Sequence, residues 1–429
     1  MALSANDRSI AGFTMTGHGL VHWFETSIPI FLVVWLAEFD VSVVLWGLVV
    51  AAGYAPFGIG ALPAGILADR FGPKRLIVVC LAGMSASFFL LATADTIVAI
   101  AIGLVCWGIA ASIYHPAGLA LISTGVEQRG QVFAWHGMAG NLGITLGPLT
   151  AATLLIVLDW QLVAALLAVP GLLAAVYGLR ADFDPTAAVD DDADAGPDEA
   201  LSLSEILANS RTLFASAFLV VFVIVTFEGL FYRGMLTYLP EILHGSPALA
   251  GIDLGPSLEG IEPSFYVYAG LLVVGMAGQY AGGLMTDRLR PERGLLAIFV
   301  VLAVLALAFV PVVIAGPASA AGLAAVLALC GVFGFFLFAI QPFYQEAVAV
   351  YTPPDSRGLS YGYTYLGEFG LGAGSIAIGG FVLGYSTGAF FLTMAAFALT
   401  GAALAALLGL GLDRFVGRDP AGVPAASED

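Results

Sequence analysis

The sequence predicts an all-α polytopic membrane protein, with twelve transmembrane helices in two pseudo-symmetric six-helix bundles. Three observations lead there. Of 429 residues, 60% are apolar, 10% are charged and 53 are glycine, whereas a soluble domain carries roughly a quarter charged residues. The apolar residues gather into twelve runs, each near the ~20 residues a helix needs to cross a bilayer. The runs are continuous rather than alternating, which selects helices over barrel strands. Finally, a charged loop occurs twice. Residues 65–75 read Gly-Ile-Leu-Ala-Asp-Arg-Phe-Gly-Pro-Lys-Arg, and Gly65, Asp69, Arg70, Pro73 and Arg75 recur as Gly283, Asp287, Arg288, Pro291 and Arg293. Each copy lies between two apolar runs, so the chain reads as two copies of one membrane-embedded half.

In order, the expected spans are 12–37, 42–66, 74–95, 97–124, 132–157, 161–179, 212–240, 264–286, 294–316, 319–348, 358–382 and 386–411. They divide the chain into an N-terminal bundle (1–180), an acidic linker (181–210), a C-terminal bundle (211–412) and a tail (413–429). Arg8, Arg70, Lys74, Arg75, Arg129, Arg180, Arg211, Arg288, Arg290, Arg293, Arg357, Arg414 and Arg418 fall on one side, thirteen of the fourteen cations. Cytoplasmic loops hold the excess of Lys and Arg. Both termini and the linker are therefore expected in the cytoplasm, and the chain in the cytoplasmic membrane. No cleavage-site pattern follows Arg8, so the first run is expected to remain as a helix.

The net charge of −17 sits mostly in loops and tails. Residues 181–210 hold nine acids and no Lys or Arg, and Lys74 is the chain's one lysine. Acid in place of lysine suits a surface kept soluble at high salt, as in a halophile. The linker is expected to be disordered to about Ala200. Ser202-Leu-Ser-Glu205 then has the form of a capping box opening a short interfacial helix, Leu201–Asn209. The loop at 241–263 suggests nothing beyond solvation. Cys80, Cys106 and Cys330 lie inside apolar runs and offer no disulfide framework or metal spacing.

Ionisable residues inside the spans are the functional candidates, because such groups do not face lipid cheaply. A polar residue merely satisfied inside the bundle is the plain alternative for each. The first span sets His18, His22 and Glu25 at i, i+4 and i+7, one helix face. A histidine beside a carboxylate can take and release protons near neutral pH. His22 and Glu25 are the stronger candidates, since His18 also suits an interfacial position. The fourth span adds His115, the fifth His136 and Asn141, and the seventh Glu228 and the fourteenth cation, Arg233. Five residues separate Glu228 from Arg233, so they point about 140° apart and need partners elsewhere. The tenth span offers Gln341, Tyr344, Gln345 and Glu346, and the eleventh aligns Tyr361, Tyr365 and Glu368 on one face.

Two further patterns stand out. Tyr114-His115-Pro116 in the fourth span aligns with Ile340-Gln341-Pro342 in the tenth, and paired proline breaks in corresponding helices point to a midplane binding site. In the fifth span Gly140, Gly143 and Gly147 make a smooth face of the small-residue packing type.

The repeated loop resembles the signature of the major facilitator superfamily between its second and third helices, with the weaker repeat between the eighth and ninth. That resemblance covers nearly the whole chain. It implies a central cavity lined by helices 1, 4, 7 and 10, a functional monomer, and a cytoplasmic gate. Gly65, Asp69, Arg70, Lys74, Arg75, Asp287, Arg288 and Arg293 would form that gate, pairing across the halves when that side is closed. Gly143-x-x-x-Gly147-Pro148 is similar to the antiporter signature of the superfamily's drug exporters, with Ala151-Ala152 and Ala134 where that signature has glycines. Together with Tyr114-His115-Pro116-Ala-Gly118 it resembles the fosmidomycin-resistance branch, taken to be proton-driven exporters.

No Gly-x-x-x-x-Gly-Lys-Ser/Thr is present to bind ATP, and neither His-Glu-x-x-His nor Gly-x-Ser-x-Gly is present to support a membrane enzyme. No cofactor, metal or nucleic acid is expected. The expectation is a proton-coupled exporter of a small organic solute working by alternating access; the alternative is a symporter that takes in an organic anion with protons or sodium. His22, Glu25, His115, Asn141, Glu228, Arg233, Gln341, Gln345, Tyr365 and Glu368 are the candidate substrate-binding residues, with His22, Glu25 and Glu228 coupling protons. Arg233 suits an anion, because its planar fork matches a carboxylate or phosphonate.

Overall fold

The structure is a computed structural model that describes residues 3–188, 203–250, 252, 261–352 and 357–411; the side chains of Asp69, Leu203 and Arg357 lie outside the described part. Among the described residues, twelve long helices follow one another. They are α1 (Ala5–Glu38), α2 (Val43–Ile59 continued by Ala61–Phe71), α3 (Pro73–Leu91), α4 (Ile97–Ala111 continued by Tyr114–Gly125), α5 (Arg129–Leu154) and α6 (Trp160–Arg180). The second six are α7 (Phe218–His244), α8 (Pro263–Thr286), α9 (Pro291–Phe309 with a π turn Val310–Ile314), α10 (Ala320–Tyr351), α11 (Arg357–Tyr365, a π turn Leu366–Leu371, then Gly374–Leu383) and α12 (Thr387–Gly409).

Local chemistry sets many of the ends. Ser4, Ser42, Thr96, Ser319 and Ser386 accept a hydrogen bond from a first-turn N–H of α1, α2, α4, α10 and α12, filling orphan donors. Pro73, Pro263 and Pro291 open α3, α8 and α9, where a missing N–H costs nothing. Gly72, at φ +85°, makes the corner of the first charged loop, a conformation that a Cβ would strain.

Among the described residues, eleven stretches are long and apolar enough to cross a membrane. The twelfth, α5, has the length, 26 residues, but its sequence mixes Arg129, Gln131, His136 and Asn141 with glycine. One face of it packs on protein, while Met138, Leu142 and Leu146 are exposed on another. A Cβ at Gly140 would strike the His18 ring, one at Gly143 the backbone of Gly19, and one at Gly147 the backbone of Trp23. The small face therefore seats α1. Gly143→Val is expected to cost about 1–3 kcal/mol by overpacking. Thermal melting in detergent should show that loss, and an unchanged melting temperature would mean that the close α1–α5 approach is dispensable.

The helix pairing repeats at an offset of six. α1 packs on α5, α2 on α4, α3 on α4 and α6; likewise α7 packs on α11, α8 on α10, and α9 on α10 and α12. The halves meet through α1–α7, α2–α11 and α5–α8, which the same offset interchanges. At two levels the α2–α11 seam is made by glycine, Gly47 against Gly380 and Gly58 against Gly370.

Two expectations are corrected. The proline breaks are not paired: α4 is interrupted at Ser112–Ile113, before Tyr114, whereas α10 runs helical through Pro342. The irregular backbone instead collects where α2 breaks at Gly60, beside Ser112 of α4, and where Gly372 N–H bonds back to the Gly367 carbonyl at 2.9 Å in the π turn of α11. The linker is also ordered at its start. Residues 181–188 lie along the charged-loop ends of the N-terminal helices, where Asn6 donates to Gly125 and Asp184 carbonyls at 2.9 and 3.1 Å, and Thr124 donates to the Pro185 carbonyl at 2.7 Å. Thr186 donates to Asp184 from its backbone and its hydroxyl, holding that exposed carboxyl below its ordinary range. These bonds recover what the segment loses in chain entropy, which its composition alone does not reveal. Residues 189–202 and the tail from 412 lie outside the described residues. An amphipathic helix, Leu203–Phe214, leads into α7, and its Ser210 accepts a 2.8 Å bond from Tyr363 of α11.

Candidate functional site

α1 and α7 touch where each carries a buried charge. Arg233 donates from Nη1 to Glu25 Oε1 across the two halves, and both side chains are at most 5% exposed. The second carboxylate oxygen, Glu25 Oε2, lies 2.5 Å from His22 Nδ1. His22 Nε2 is 3.2 Å from His18 Nε2, and His18 Nδ1 lies 2.7 Å from the His136 carbonyl. A polar chain thus runs from α7 through α1 to α5. Its far end is closed by Tyr114, whose hydroxyl bonds the Thr14 carbonyl and lies 3.1 Å from His136 Nε2.

Aromatic rings enclose this chain. The Arg233 guanidinium sits 4.2 Å from the Phe369 centroid, 5.3 Å from Tyr54 and 5.4 Å from Tyr232, where ring faces stabilise a desolvated cation. Tyr54 also fixes α1, donating to the Glu25 carbonyl at 2.6 Å. His115 meets His18 and His22 edge-on at 5.3 and 5.5 Å and lies 4.8 Å from Tyr365 of the other half.

Two more carboxylates are buried nearby. Glu368, on the π turn of α11, accepts a 2.9 Å bond from Tyr344 of α10. Glu228 has neither oxygen hydrogen-bonded, and Glu368 is its charged neighbour. Gly229 brings the two together, since a Cβ there would overlap the Glu368 backbone. Glu368 also acts on Arg233.

A narrow cavity of about 10 Å³, scarcely room for one water, opens on this core, lined by Glu25, Thr26, Tyr54, Arg233, Thr237 and Tyr268 among others. A larger hollow, about 700 Å³, lies at the far ends of α1, α5, α6 and α8 beside Glu38, Asp159 and Glu262. The smaller one is the better candidate despite its size, because buried ionisable groups from both halves converge there, while the larger is an open, shallow groove.

The structure therefore gathers His22, Glu25, His115, Arg233, Tyr365, Glu228 and Glu368 in one region. Gln341 is buried on α10. Gln345 is a correction: it is exposed, because the buried face of α10 follows Gln341, Tyr344 and Val348 and leaves Gln345 beside it. Asn141 is half-buried on α5 with no bond to the cluster. Among the gate candidates, Arg70, Arg75, Asp287, Arg288 and Arg293 are exposed, Gly65 is half-buried, and Lys74 bonds the Ala181 carbonyl instead. No ion pair among the described residues joins the two charged loops. His18, His136 and Tyr344, candidates by their place in the spans though not among the expected substrate-binding residues, belong to this region, and so does Tyr54, which the sequence does not single out. An intramembrane histidine at 136 carried the signal; a tyrosine within an apolar run did not.

Paired six-helix halves closed around a buried, charged cavity are the architecture of a membrane transporter. The chain belongs to the Major Facilitator Superfamily, which it matches over residues 14–377. Among solved structures it is similar to a bacterial homologue of the human lysosomal transporter Spinster in an inward-facing, unoccupied conformation, with TM-score 0.75 and 15% identity over 98% of this chain and 100% of that one. The nucleoside transporter NupG is similar at TM-score 0.71 and 14% identity, over 94% and 99% of the two chains. The human organic anion transporter MFSD10 is similar at TM-score 0.59 and 19% identity, over 94% and 100%. At such identities the likeness is one of fold. In sequence, 118 residues, 27% of the chain, are 33% identical to a triacylglyceride transporter of Mycolicibacterium smegmatis, and the match spans 21% of that relative's length. The family and fold are those of transporters, not enzymes.

Proposed function

We propose that the chain is a secondary transporter that carries a small organic anion together with protons across the cytoplasmic membrane, by alternating access and with both termini in the cytoplasm. The observation that carries this reading is the Glu25–Arg233 pair between the halves. Among the described residues Arg233 is the one buried Lys or Arg, and Glu25 occupies it. An entering carboxylate or phosphonate needs that fork, and Glu25 gives it up when a proton neutralises it. Proton and anion then load together, and breaking the α1–α7 pair frees the halves to rock. His22, on the other oxygen of Glu25, is the proton's next stop.

This ordering favours the symport alternative over the exporter first expected. The exporter reading rests on the fifth helix and on Tyr114-His115-Pro116, and the packing of Gly140, Gly143 and Gly147 against α1 gives the fifth-helix pattern a structural use. The test is internal pH in sealed vesicles under an imposed proton gradient, with phosphonates and organic acids added in turn. Protons should move in the same direction as substrate. Opposed flow would restore the exporter, and substrate flux without proton flow would move the coupling to sodium. Glu25→Gln should keep substrate exchange while losing the proton movement.

A further inference from the structure

We propose that His18, His22 and His115 form a binding site for one divalent transition-metal ion of the Zn²⁺ class, beside Glu25 in the N-terminal half. Ring nitrogens of the three, one from each, lie within 4.8 Å of one another. The stronger argument comes from what the other nitrogens do. His18 Nδ1 faces the His136 carbonyl at 2.7 Å, and a carbonyl only accepts, so that nitrogen carries the hydrogen. His22 Nδ1 faces the Glu25 carboxylate at 2.5 Å, whose other oxygen is held by Arg233, so it too carries a hydrogen. The two neutral rings therefore aim bare lone pairs at each other, Nε2 to Nε2, at 3.2 Å. Two acceptors at that distance repel unless a proton or a metal ion lies between them, and the spectrum below separates the two.

The spacing fits a metal. With Zn–N bonds of about 2.0–2.1 Å, the ligand-to-ligand edge of a tetrahedron is about 3.3–3.4 Å. The outer contacts fit as well: a metal-bound histidine usually donates its remaining N–H to a carboxylate or a backbone carbonyl, which fixes its tautomer and orientation. His22 has the carboxylate and His18 the carbonyl. His115 is a third ligand that closes on the ion by a small ring movement, and the fourth position is left to water or to an oxygen of a bound anion. His22 and His115 are buried while His18 is half-buried, so the ion enters past His18. Imidazole nitrogens and no thiolate or cluster of carboxylates select a borderline ion over Ca²⁺ or Mg²⁺. Glu25 and Arg233 lie beyond His22, Tyr114 and His136 beside His18, and Tyr365 against His115.

The site shares His22 and Glu25 with the proposed proton path, so its test reads bound metal rather than flux and can fail separately from that reading. The full-length protein, free of any affinity tag, is titrated with Zn²⁺ in detergent, and the zinc-edge X-ray absorption of the complex is recorded. One ion per chain should bind, with three imidazole nitrogens at about 2.0 Å. His22→Asn and His115→Asn should each weaken binding by at least tenfold. Glu25→Gln, which removes the carboxylate behind His22, should weaken it by about 10–100-fold. His244→Ala removes the exposed histidine that lies 2.9 Å from Glu262 and should change nothing. Absence of a bound ion, an oxygen-only shell, or binding that His244→Ala abolishes would each overturn the proposal. The absorption spectrum of the unmutated protein decides the matter even where a histidine variant fails to fold.

Discussion

Arg233→Gln is expected to abolish binding of the anionic substrate and to destabilise the protein by about 3 kcal/mol, since removing one partner of a buried ion pair strands the other. Glu25 loses its cross-half partner and keeps only His22. Glu368 loses the positive charge that acts on it from α7. Three variants separate the two roles. Glu25→Gln with Arg233→Gln leaves no stranded charge at the pair, so melting should return close to that of the unmodified chain while substrate binding stays lost. Arg233→Lys keeps the charge without the planar fork and should bind weakly. Melting and ligand binding on the same detergent samples provide the comparison. If the double variant binds substrate normally, Arg233 is a structural cation and the anion lies elsewhere.

The positions of these charges were legible in the sequence; their partners were not. An arginine and several acids inside apolar runs announce themselves, because the bilayer excludes such residues unless something holds them. That Glu25 faces Arg233 follows only from the crossing of α1 and α7, which brings together residues 208 positions apart. The duplicated loop makes the twelve-helix fold readable, and the glycine spacing of α5 marks a face for close packing. What it packs against was hidden, since a stripe of glycines specifies closeness but no partner. Tyr361, Tyr365 and Glu368 stay close enough to act on one another, but that the π turn at Leu366–Leu371 also sets Glu368 against Tyr344 and Glu228 is not legible in the spacing. Glycines at 367, 370 and 372 permit that widened turn, but the same glycines also fit ordinary close packing. His18 was undervalued for a similar reason: its partner His136 is on α5, far along the chain.

Glu228→Gln is expected to raise the melting temperature and to lower by one the number of cations moved with each substrate. The argument is a charge count. Arg233 supplies one positive charge to a core that holds Glu25, Glu228 and Glu368, so the fully ionised set sums to minus two. Uncompensated charge in so dry a site costs several kcal/mol for each ion, and Glu228, with neither oxygen hydrogen-bonded, bears the least relief. Cations must enter to balance it, and those cations are the ones a gradient can drive. An amide at position 228 keeps the shape and removes one charge, so the empty protein gains stability while transport loses part of its driving force. Substrate accumulation at a series of imposed proton gradients gives the ratio directly, and the same series run in sodium identifies the ion. A variant that melts lower, with its ratio unchanged, would show that Glu228 is held by contacts that outweigh its burial. The coupling would then lie with Glu25 alone.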